Sequence, residues 1–185
     1  MPTVSNPALL QDGSDAAFRD TLYLMVLTFG RLLACREAFG RSVGLTGSQF
    51  AVLLGTAHRQ GGTGVTIRDL ADHVHLASTH VTTDVGRLIR KGLLAKRPNE
   101  ADGRSVLVTL TPGGEAAVAE LMPFIRDVND QLFEGVGAED LAQLRRFLER
   151  FARNSDYALV TLRQRERAAA GPAAARPVAR RAPRG

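Results

Sequence analysis

The stretch from Thr66 to Leu110 constrains the fold more than any other part of this chain. Thr66 stands where it can cap a short helix running through His73, with Ile67, Leu70, Ala71 and Val74 on one face. His75-Leu76-Ala77 makes a tight connection to a second helix. Ser78 is its expected N-cap, Val81, Val85, Leu88 and Ile89 form its apolar face, and Gly92 sits in the terminating position. The pattern then changes. Leu93 to Arg97 and Ser105 to Leu110 read as strands, and in the second Val106, Val108 and Leu110 alternate with Leu107 and Thr109. Pro98 to Arg104 joins them, with Asp102-Gly103 as the turn signal. Val65-Thr66-Ile67 is long enough only for a stub strand. The order helix, tight turn, helix, β-hairpin is that of a winged helix-turn-helix.

Longer helical stretches flank this unit. From Asp15, Phe18, Leu22, Met25, Phe29, Leu32 and Leu33 recur at steps of three or four up to Phe39, and Gly40 and Gly44 are expected to end the helix. Thr46 is a plausible cap for a helix carrying Phe50, Leu53, Leu54 and Ala57, broken by Gly61, Gly62 and Gly64. Thr111-Pro112 restarts a helix through Val118, Leu121, Ile125, Val128 and Leu132, in which Pro123 predicts a kink. A last helix from Ala138 carries Leu141, Leu144, Phe147, Leu148 and Phe151 and is expected to end by Leu162. The predicted fold class is therefore mainly α with a small β-hairpin wing. Residues 1–14 are expected to be a flexible arm, residues 15–162 the folded domain with its winged lobe at 46–111, and residues 163–185 a disordered Ala/Pro/Arg-rich tail. No apolar run approaches the ~18 residues of a membrane span. Met1 to Gln11 lacks the features of a signal peptide, so a cytoplasmic location is expected.

Charge narrows the function. The chain carries 24 Lys and Arg against 19 Asp and Glu, but residues 163–185 alone hold seven Arg and one acid. The rest is near neutral, so local clustering matters more than the total. Between Arg87 and Arg104, six basic residues (Arg87, Arg90, Lys91, Lys96, Arg97, Arg104) face only Glu100 and Asp102. Such a patch on a near-neutral body is the footprint of a polyanion binder. The outward side of the second helix of the turn unit offers Ser78, Thr79, His80, Thr82, Thr83 and Arg87, groups suited to base edges and phosphates. Asp84, on the same helix, would repel phosphate unless it pairs with an Arg or reads a cytosine amino group.

An enzyme is not expected. The chain has no P-loop, no Gly-x-Ser-x-Gly and no His-Glu-x-x-His. Its four histidines (58, 73, 75, 80) lack ligand spacing, so neither a metal nor a cofactor is expected.

The residues Leu70-Ala71, Arg87-Leu88-Ile89-Arg90-Lys91-Gly92-Leu93-Leu94, Arg97, Asp102-Gly103-Arg104 and Val108-Thr109-Leu110-Thr111-Pro112-Gly113-Gly114 resemble the MarR family of bacterial transcription regulators. The Asp-x-Arg and Leu-Thr-x-x-Gly pattern matches without a gap between Lys91 and Gly114, and the resemblance covers about residues 15 to 162. It implies a homodimer in which helices within 15–45 and 112–162 interleave. Each winged lobe would read one half-site of a pseudo-palindromic operator in double-stranded DNA, with half-sites about 10 bp apart. It implies that Arg104 enters the minor groove, held by Asp102, and adds Arg97 to the DNA-facing set. Many relatives carry a long basic residue where this chain has Thr83, so the base preference is this chain's own.

The resemblance also implies release from DNA by a small aromatic carboxylate of the hydroxybenzoate or hydroxynicotinate kind. Arg19, Tyr23, Phe29, Arg31, Phe50 and His58 are the residues of suitable chemistry near the expected pocket. The alternatives are the same DNA-binding role with peroxide sensing through Cys35 or metal sensing through histidines, or an architectural nucleoid-type DNA binder.

Overall fold

Local signals set most of the element boundaries. The computed structural model describes residues 1–169. Its elements run α1 (Ala16–Ser42), α2 (Gly47–Arg59), β1 (Val65–Thr66), α3 (Ile67–Val74), α4 (Ser78–Arg90), β2 (Leu94–Pro98), β3 (Val106–Leu110), α5 (Pro112–Leu132) and α6 (Ala138–Ala169). Thr46 closes a capping box on α2: its hydroxyl accepts from the Gln49 amide while the Gln49 side chain accepts from the Thr46 amide. Thr66 caps α3 through the Asp69 amide. Gly92, at φ +73°, ends α4, with its amide bonded to the Ile89 carbonyl and that of Leu93 to Leu88. This pairing satisfies carbonyls the helix would otherwise leave open.

A first unit spans Met1–Asp130 and a second Gln131 onward. In the first, an antiparallel sheet of order β1-β3-β2 pairs Val65 with Val108 and Leu94 with Leu110. One core gathers Leu53 of α2, Leu70 of α3, Val81, Val85 and Leu88 of α4, Leu94 of β2 and Val108 of β3. A smaller core joins Phe39 of α1 and Phe50 of α2 to Leu121 and Ile125 of α5. Burying side chains of this size stabilises by ~1.5–3 kcal/mol each, enough to hold α4 rigidly against the sheet.

Three expectations are corrected. Gly40 does not end α1. It lies inside the helix and buried, because a Cβ there would press on the Leu45 and Thr46 backbone as the chain folds back. Ser78 is the first residue of α4, and the cap position belongs to Ala77, which makes no side-chain cap bond. Near the start of the chain, the Thr3 amide and hydroxyl donate to Asp15 Oδ2 at 2.5 and 2.8 Å. These two donors, with Arg19 also nearby, hold the Asp15 carboxyl below its ordinary 3.8 against the opposing effect of burial. Finally, α6 continues past Leu162 to Ala169, because Arg163 to Ala169 are all strong or tolerable helix formers. The rest of the expected tail, residues 170–185, lies outside the described residues.

The second unit consists mainly of α6. Its helix α6 has no buried residue, and Phe147 stacks on Phe151 at 5.8 Å.

Candidate nucleic-acid interface

Helix α4 presents one dry face and one wet face. Val81, Val85 and Leu88 point into the core, while Ser78, Thr79, His80, Thr82, Thr83 and Arg87 are exposed. The hydroxyl protons of Thr82 and Thr83 are donated to the Ser78 and Thr79 carbonyls at 2.8 and 3.0 Å. With their protons committed, the two hydroxyl oxygens are left as acceptors on exposed residues. Asp84 sits on the boundary and is wholly buried. Its Oδ1 accepts from Arg87 Nη1 at 3.1 Å, and His80 Nε2 lies 3.4 Å from its Oδ2. Of the roles open to Asp84, pairing with an arginine is the one realised; burial removes it from any base edge.

The wing is built by short polar side chains. At its tip, Asn99 Oδ1 accepts from the Ala101 amide, and the Asn99 side-chain amide donates to Ser105 Oγ at 2.9 Å. The Asp102 carboxylate accepts from the Arg104 backbone amide at 3.1 Å, an Asx-type turn. Asp102 thus shapes the turn rather than gripping the Arg104 guanidinium, for which no ion pair occurs among the described residues. Arg97, Asp102 and Arg104 are exposed, but Arg97 is partly engaged, with Nη2 donating to the Thr63 carbonyl.

The six residues of the expected effector pocket do not meet within one chain. Arg19 pairs with Asp15 at 3.5 Å near the start of α1. Tyr23 and Arg31 are exposed and Phe29 is half-buried. Phe50 lies in the smaller core, 5.6 Å from the Phe39 ring. Arg19 and Phe39 are separated by about 30 Å of helix, since α1 rises 1.5 Å per residue. His58 is exposed beside His73, the rings 6.4 Å apart. Grouping these residues by chemistry ignored the length of α1.

A residue of suitable chemistry that the sequence reading passed over is Arg36. Its Nε is buried with no hydrogen-bond partner. It stands one turn from Phe39, whose ring also meets Phe124 edge-on at 5.3 Å. Helical spacing from Phe39 would have pointed to it. Cys35 is half-buried against the same core. Among the described residues no group of three potential ligands could hold a metal ion, and no helix is long and apolar enough to cross a membrane.

Residues 43–105, from the turn after α1 to the wing, match the model of the MarR family. Over 71 residues the chain is 38% identical to the transcriptional activatory protein BadR of Rhodopseudomonas palustris. That match covers 38% of this chain and 41% of BadR, so the chain spans less than half the length of this curated relative. The structure resembles that of Bordetella bronchiseptica BpsR, described in terms of regulation of its DNA binding by 6-hydroxynicotinic acid. The TM-score is 0.58 at 28% identity, over 70% of this chain and 91% of that one. It also resembles CouR of Rhodococcus jostii RHA1 bound to p-coumaroyl-CoA, with a TM-score of 0.64 at 22% identity over 75% and 96% of the two chains. This second likeness bears on the fold. The helix-turn-helix, the three-stranded wing and the match over residues 43–105 coincide, so the winged lobe of this chain is similar to that of the MarR family.

Proposed function

We propose that this protein is a dimeric, sequence-specific DNA-binding transcription regulator, a repressor released by a small aromatic carboxylate. The observation that carries the DNA-binding reading is the exposed face of α4. Short donors and acceptors, one imidazole and one guanidinium stand on a helix whose other face is locked into a core. The wing tip adds Arg104, exposed and without an acidic partner among the described residues. Helix α4 enters the major groove, where its first amides meet phosphate and its side chains meet base edges. Arg104 reaches the neighbouring minor groove.

Dimerisation rests on surfaces that α1 and α6 each leave uncovered. Along α1 only Phe39 and Gly40 are buried, while Leu22, Leu24, Val26, Leu27, Leu32 and Leu33 are exposed. Exposed apolar side chains spread around a helix mark a protein partner, and a second copy supplies a matching surface. Two-fold symmetry then sets two half-sites about one helical turn, ~10 bp, apart.

The effector reading draws on the BpsR likeness and on Arg36, a half-buried cation next to aromatic rings. A ring carboxylate would pair with the guanidinium and stack nearby. Coupling of ~1–3 kcal/mol would lower DNA affinity about 5- to 150-fold. The test is selection of duplex DNA from a pool with a randomised core, followed by titration of the selected complex with hydroxybenzoates and hydroxynicotinates. Enrichment of a pseudo-palindrome and its release by an aromatic acid are expected. Binding of all duplexes alike would mark an architectural protein instead. Selective binding insensitive to every acid would remove the effector.

A further inference from the structure

Asp84 is in an unusual place for a carboxylate. It is the single acidic side chain on α4, its relative exposure is 0%, and its helix neighbours Val81, Val85 and Leu88 are core residues. Removing an ionised carboxylate from water costs several kcal/mol unless charged or hydrogen-bonding partners offset it. Asp84 has such partners on its own helix. Arg87, one turn ahead, donates from Nη1 to Oδ1 at 3.1 Å; His80, one turn behind, sets Nε2 3.4 Å from Oδ2. Oδ2 is buried and makes no hydrogen bond among the described residues, so His80 acts on it by the proximity of its ring and not through an N–H···O bond. Both partners are about half exposed, 48% for Arg87 and 51% for His80, so each has one end on the buried carboxylate and the other on the wet face.

We propose that Asp84 is the positioning residue of the DNA-reading helix. Its buried carboxylate fixes the orientation of Arg87 through a hydrogen bond and, by its charge 3.4 Å from Nε2, biases the tautomer of His80, and thereby sets the hydrogen-bonding pattern that α4 shows to DNA. The proposal rests on the DNA-binding reading of α4. The chemistry is specific. A carboxylate facing Nε2 keeps the proton on that nitrogen, so the neutral ring offers Nδ1 as an acceptor and the protonated ring offers it as a donor. The guanidinium, held at Nη1, retains most of its five donors for a base edge or a phosphate in a fixed plane. A floppy Arg and a ring free to choose its tautomer would bind phosphate as well but would discriminate bases less.

The experiment compares the full-length wild type with Asp84→Leu and Asp84→Asn on two probes, a duplex pool with a randomised core and poly(dI-dC). Asp84→Leu removes the one buried charge and fills its place with apolar volume, while Arg87 and His80, both about half exposed, stay within reach of water. It is expected to keep its thermal midpoint and its poly(dI-dC) affinity, and to lose about 10- to 100-fold in affinity for the sequence the wild type selects. Asp84→Asn can turn its amide nitrogen toward His80 and so favour the opposite tautomer; it is expected to enrich a different base at one position of each half-site. Selection of the wild-type sequence with wild-type affinity by both variants would overturn the proposal. Should Asp84→Leu fail to fold, the isosteric Asn variant carries the same test. A wild type that enriches no sequence at all would overturn the DNA-reading role of α4 itself, and this proposal with it.

Discussion

Arg97 Nη2 donates to the Thr63 carbonyl across 2.9 Å, tying β2 to the loop that leads into β1. Arg97 belongs to the basic window, yet part of its bonding capacity is committed to holding the wing on the lobe. Arg97→Ala is therefore expected to speed amide exchange in β1 and to weaken DNA binding less than Arg104→Ala does. Equal losses in the two variants would make Arg97 a direct contact instead of a brace.

Arg104 has the opposite character. Its backbone amide is held by Asp102, while its side chain stands exposed at the wing tip. Arg104→Ala should cost ~1–3 kcal/mol of DNA binding with an unchanged melting temperature and an intact dimer. Fluorescence anisotropy on the selected duplex, beside calorimetry, separates the two effects.

Gly114 lies in the first turn of α5, where the Thr111 hydroxyl accepts from its amide and donates in turn to the Gly92 carbonyl. A Cβ at Gly114 would overlap the Leu93 carbonyl oxygen. Gly114→Ala gains less than ~1 kcal/mol in helix propensity, but overpacking against backbone costs ~1–3 kcal/mol. Urea denaturation should show a net loss of stability, and a gain would mean that α5 shifts freely.

The pH dependence follows from His73. Desolvation, then the positive charges of Arg59, His58 and His75, hold its imidazole below the ordinary 6.5. The unfolded chain thus takes up this proton more readily than the folded one. The associated stability is complete above pH 6.5 and is lost progressively as pH falls from 6.5 through the lower folded value. His73→Gln should flatten the stability profile in that window; an unaltered profile would assign the slope to other groups.

The uncovered face of α1 predicts the assembly state. Leu24→Glu combined with Leu27→Glu places two charges where the second copy is expected to pack, and both positions are exposed in the single chain. Sedimentation should show the wild type as a dimer and the double variant as a folded monomer. A dimeric double variant would move the interface elsewhere.

The elements of this fold were legible in the sequence because their signals are local. Thr46 with Gln49, Thr66 with Asp69 and Gly92 after Arg90 each act within a few residues, and side-chain periodicity told the inner faces of α3 and α4 from their outer ones. The same periodicity marked the exposed residues of α4 proposed to read DNA. Long-range approach decided the rest. Gly40 reads as a helix breaker until the backbone of Leu45 and Thr46 is seen to fold over it. Arg97 reads as a free cation until β2 lies beside the Thr63 carbonyl. Phe50 and Arg19 read as neighbours by chemistry, but a continuous α1 keeps them far apart. Asp84 was ambiguous for the same reason: charge repulsion, base reading and pairing are equally compatible with its place in the chain. Only the packing of α4 on its core puts that carboxylate out of water, where Arg87 holds one oxygen by a hydrogen bond and the His80 ring lies 3.4 Å from the other.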